Sequence, residues 1–60
     1  MYLPKWMKYV EYIRKNNLLF EESVEYLNKR IRSNADLRSA RTALTIVFKM
    51  TEKELDKYIK

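Results

Sequence analysis

The 60-residue chain contains no glycine at all. Glycine supplies positive φ without a steric penalty, so tight hairpins and phosphate-cradling loops lose their usual source. Helices joined by short polar turns remain, because a helix interior needs no positive φ and asparagine can end one. The only proline, Pro4, suits a first helical turn, where its fixed φ fits and its missing N–H goes unused.

Helical periodicity and end signals divide the chain into four segments at about 4–15, 19–32, 35–49 and 52–59. In the first, Trp6, Tyr9, Val10 and Ile13 recur at helical spacing with Tyr2 and Leu3 near the same face, and Asn16-Asn17 ends it. Trp6 reads as a core anchor, since one buried indole supplies a large share of the area a small core needs. The second begins near Leu18 or Leu19, carries Glu21 and Glu22 at its positive end, and shows the stripe Phe20, Val24, Leu27, Ile31. Ser33 with Asp36, and Thr51 with Glu54, fit the capping-box pattern and open the third and fourth helices. Leu55, Tyr58 and Ile59 form the inner face of the fourth. Only Thr51 marks the break between the last two, so one bent helix from 35 to 59 is the competing picture. The expected fold is all-α: a single domain, 1–60, built as a small three-helix bundle plus a short C-terminal helix, with a helix-turn-helix-like middle pair. Sixty residues are near the lower limit for folding alone, and a homodimer is a second way to bury apolar surface.

The third segment differs from its neighbours in being apolar around most of its circumference. Leu37, Ala40, Leu44, Val47 and Phe48 lie on one side, with Ala43, Ile46 and Met50 on another. Such a helix is surrounded by its neighbours or partly buried in a dimer interface. Its one polar sector, an arc of roughly 100°, holds Arg38, Arg41, Thr42, Thr45 and Lys49 and no carboxylate. The formal charge of +5 resides in this segment and the first, while residues 18–32 and 51–60 each balance to zero. A basic surface favours anionic partners.

Taken together, these features suggest a small basic nucleic-acid-binding protein, with DNA favoured and a regulator using the second and third helices as the motif. Arg38, Arg41 and Thr42 would read base edges, with Thr45 and Lys49 nearer the backbone. Arg30, Arg32 and first-helix lysines would hold phosphates. Engaging five or six phosphates gives a log–log salt slope of about −4 to −6. The turn has no glycine, so Asn34 would supply any left-handed residue. The alternative is a helical protein-interaction module that binds and modulates a larger protein through Met7, Tyr12 and Tyr26.

Other classes find less support. With no cysteine and no histidine, the chain lacks disulfides, thiolate metal sites and the usual neutral-pH acid/base, so no metal, cofactor or enzyme activity is expected. Glu21, Glu22 and Glu25 cluster, but in a first helical turn where carboxylates are favourable anyway. Ser23, Ser33 and Ser39 have no base to activate them. Tyr2, Trp6 and Tyr9 beside Lys5 and Lys8 resemble an interfacial membrane helix, a weaker reading than a buried anchor. The apolar runs are too short to span a bilayer, and without a targeting signal the expected compartment is the cytoplasm.

Overall fold

Four helices account for the regular structure of the computed structural model, which describes residues 3–59: α1 (Lys5–Lys15), α2 (Phe20–Asn28), α3 (Asn34–Phe48) and α4 (Glu52–Leu55). Tyr2, expected near the apolar face of the first helix, lies outside the described residues. Among those residues there is no strand, and no helix is long and apolar enough to cross a membrane.

Each helix ends where a local signal ends it. After α1, Asn17 takes φ 51°. The Asn17 N–H then bonds the Arg14 carbonyl and the Leu18 N–H reaches back to Ile13. These two bonds form a Schellman motif with asparagine in the position glycine usually holds. α2 is capped by Leu19, whose N–H donates to the Glu22 carboxylate at 2.8 Å. It stops at Asn28, four residues before the expected end at residue 32. The Arg30 N–H bonds Leu27 in a tighter turn, and Ile31 packs against the core from the loop. The connection to α3 is therefore the five residues 29–33, none of them left-handed, and Asn34 belongs to the helix.

α3 and α4 are separate helices, which excludes the single bent helix. The break lies at Lys49, in the left-handed conformation (φ 54°, ψ 45°), a placement that costs a non-glycine residue about 1–2 kcal/mol. Thr51 then restarts the chain as predicted: its hydroxyl accepts the Glu54 N–H and the Glu54 carboxylate accepts the Thr51 N–H. α4 lasts one turn rather than reaching residue 59. The chain continues in tight turns that bring Leu55 and Ile59 into the core.

α3 is the hub. Ala40, Ala43 and Leu44 are fully buried, and the helix packs most extensively on α1 and far less on α2 and α4. Tyr9, Val10 and Ile13 of α1, Leu27 of α2, Leu55 and Ile59 complete the core. Trp6 is only partly buried, so the expected anchor role passes to Tyr9 and Ile13, deeper along the same helix. Between α2 and α3, Phe20 meets Phe48 edge-on at 5.3 Å, and Phe20 also meets Tyr58 of the C-terminal turn at 4.8 Å. Tyr58, expected on the inner face, is half-exposed at the end of that cluster.

Leu44→Ala removes a fully buried side chain from the hub and should cost about 2–5 kcal/mol. A core of this size rarely supplies more than about 3–5 kcal/mol, so the variant should be largely unfolded by circular dichroism at 25 °C. Leu19→Ala, at a residue 70% exposed, should stay within about 0.5 kcal/mol of the parent in a thermal melt.

Candidate functional site

The polar sector of α3 does not reach solvent as one basic edge. Arg41 is drawn under the C-terminal turn: its guanidinium donates to the Asp56 carboxylate at 2.7 Å and to the carbonyls of Ile59 at 3.2 Å and Glu52 at 3.3 Å. Its side chain is 22% exposed. A planar fork satisfied on three acceptors in this way is a structural clamp, and it is not available as a base reader without undocking the tail. Glu52 lines the same shallow groove as Arg38, Thr42 and Thr45, so the fold brings carboxylates to a sector that has none in its own helix. The Thr42 and Thr45 hydroxyls donate back to the carbonyls of Arg38 and Arg41, both at 2.9 Å. Arg38 and Lys49 are exposed and pair with no described residue.

The flanking arginines also separate. Arg30 lies over the Tyr26 ring at 3.8 Å and donates to the Tyr26 carbonyl at 3.1 Å. Tyr12 stacks on the same ring with centroids 4.0 Å apart and planes 6° from parallel. Two groups this close to one ring must occupy opposite faces, giving a Tyr12–Tyr26–Arg30 sandwich that ties α1 to α2. Tyr9 meets Tyr26 edge-on at 6.4 Å from the core side. Arg32 keeps its side chain exposed, while its backbone N–H donates to Asp36.

Asp36 is the one buried carboxylate among the described residues. The predicted cap is half present: the Ser33 hydroxyl accepts the Asp36 N–H at 3.2 Å. The carboxylate does not return to Ser33, because its two oxygens are taken by the Arg32 N–H at 3.1 Å and by the Lys5 ammonium. This contact pins the first turn of α1 to the first turn of α3. The Lys5 hydrogen bond, followed by that of the Arg32 N–H, holds the Asp36 carboxyl below the ordinary carboxylate range. Burial, then the nearby Asp36 charge, pushes the Tyr9 hydroxyl up.

The surface that sequence reasoning missed lies between α1 and α3. Trp6, Met7 and Val10 of α1 and Ile46 of α3 line an open, mainly apolar groove of about 600 Å³, bordered by Glu11, Arg14 and Lys15. Met7 and Ile46 are each 38% exposed. Of the residues expected in a protein interface, Met7 sits here, whereas Tyr12 and Tyr26 belong to the sandwich. The available signal was Ile46, which falls outside the main stripe of its helix; no other described element covers it. Among the described residues no three carboxylates gather as a metal site. Comparison with known proteins finds no matching family model, no matching curated sequence and no matching solved structure.

The Asp36 contact fixes a pH dependence. A carboxyl held below its unfolded value contributes stability above about pH 4, and that contribution fades as pH falls toward the folded value. Urea titrations between pH 7 and pH 2 should show an acid loss that is smaller in Asp36→Asn; an unchanged profile would remove Asp36 as its source. Arg41→Ala should cost about 1–2 kcal/mol, moderated by the exposure of Asp56, and should expose the amides of residues 55–59 to hydrogen exchange. Unaltered protection there would show that the clamp is not holding the tail.

Proposed function

We propose that the chain is a helical protein-interaction module that binds a larger protein partner through the groove between α1 and α3. The groove carries this reading: four apolar side chains, including the only tryptophan, line a concavity open to solvent in a chain whose other large apolar groups mostly pack inward. Tryptophan, methionine and arginine are the side chains enriched where protein interfaces concentrate their binding energy, and all three occur here.

Nucleic-acid binding draws on less than the helical wheel offers. Its support in the sequence is an acid-free edge, interspersed threonines and flanking arginines. Glu52 and Asp56 now border the edge, the threonine protons go to the backbone, and Arg30 is stacked on Tyr26. Arg38 within α3 and Lys49 just past its end, eleven residues apart, are the cations the edge retains. Two cations neutralising two phosphates give a log–log salt slope near −2, and a slope of −4 to −6 would need the exposed Arg32 and first-helix lysines as well.

Two measurements on the intact chain separate the readings. A photo-crosslinker replacing Met7 or Ile46 should yield adducts with extract of the source cells that are protease-sensitive and nuclease-resistant, and one placed at Lys57 should not. Duplex DNA binding followed over salt should show a slope no steeper than about −2. Nuclease-sensitive adducts, with a slope beyond about −4 that falls by about two units in Arg38→Ala/Lys49→Ala, would overturn the proposal in favour of nucleic acid.

A further inference from the structure

The chemistry of the groove rim specifies its occupant more narrowly. Resting on the reading just given, we infer that the groove receives an amphipathic helix whose flanks carry carboxylates, supplied by a different protein.

The helical form of the occupant follows from the fold. Among the described residues there is no strand, hence no sheet edge on which an extended peptide could add backbone hydrogen bonds. A groove between two helices instead accepts side chains projecting from one face of a third. Trp6 to Arg14 covers eight residue steps of α1, about 12 Å. Anchors at i, i+4 and i+7 of an incoming helix span about 10.5 Å, so its apolar face fits that length. Met7, with its unbranched and polarisable side chain, adapts the wall to the anchors it meets.

The acidic flanks follow from the charges around that floor. Arg14 and Lys15 stand at one end, and Arg38 stands beyond Ile46, in the neighbouring shallow groove that shares that isoleucine. None of the three pairs with a described residue; against them stand Glu11 at the apolar groove and Glu52 beside Arg38, so the cationic excess is concentrated at the Arg14–Lys15 end. Within a Debye length of about 8 Å at physiological salt, such cations attract carboxylates and repel other cations. The same charges argue against a second copy of this chain. A two-fold contact through the groove would place two copies of the same cationic rim on one seam, between chains each already at +5. A foreign acidic helix meets no such opposition.

Trp6 makes the test direct, because the only tryptophan of the chain lines the groove. Three synthetic helices of about eighteen residues, free of tryptophan and tyrosine, would share one leucine face and carry glutamate, glutamine or lysine on the flanks. Titrated against the full chain at low salt, the glutamate helix should shift Trp6 emission and bind about tenfold more tightly than the glutamine helix, with the lysine helix weaker still. The advantage should vanish at high salt and in Arg14→Gln/Lys15→Gln, exposed positions whose replacement leaves the core intact. Ile46→Ala should weaken all three helices alike. Equal binding of the glutamate and glutamine helices would overturn the acidic preference while leaving protein docking in place. Failure of every helix to move Trp6 would remove both. A Trp6 shift that depends on chain concentration alone, with a dimer mass by sedimentation, would assign the groove to a second copy. A shift produced by duplex DNA and by no peptide would return it to nucleic acid.

Discussion

The packing of α1 across α3 is the contact on which the other elements depend. α3 places Ala40, Ala43 and Leu44 at full burial, and α1 answers with Tyr9, Val10 and Ile13. Small side chains at two of the three α3 positions let the helices approach closely. The Lys5–Asp36 contact fixes one end of the pairing, and because Asp36 also takes the Arg32 N–H, it sets the path of the loop entering α3. α2 and the C-terminal turn then close on a pair already defined: the first through aromatic rings and Leu27, the second through Leu55, Ile59 and the Arg41 clamp.

Local signals made much of this fold legible in the sequence. Asn16-Asn17, Ser33 and Thr51 mark helix ends that the structure keeps, because capping involves groups only a few residues apart. Periodicity was a poorer guide to length. Ile31 keeps its place in the apolar stripe of the second helix and still packs inward, but it does so from a loop. Lys49 gave no warning, since nothing local favours lysine in a left-handed conformation; past it the chain restarts at Thr51 and brings Leu55 and Ile59 into the core.

The site was less legible than the fold, for the same physical reason. A helical wheel sorts residues by angle within one helix and is blind to what arrives from elsewhere. Arg41 falls in the middle of a polar sector, yet acceptors 11 to 18 residues further along the chain claim it. Arg30 looks like a free cation until Tyr26 and Tyr12 are stacked beneath it. The groove was harder still, because it belongs to no single helix: Trp6 and Met7 come from one element and Ile46 from another.

The pairing of first and third helices, rather than of neighbours in sequence, also bears on how the chain comes together. Residues 16–33 must close as a loop before α1 and α3 can share a surface. For eighteen residues the length-dependent part of that entropy is about 2.5 kcal/mol, a large sum against the stability of so small a core. α2 lies inside the loop, so any helix it forms early shortens the flexible path and lowers that barrier. Once the pair has formed, α2 closes over it through Leu27 and its aromatic rings. The chain is thus arranged as a two-helix clasp, with a third helix serving first as a spacer and afterwards as a cover.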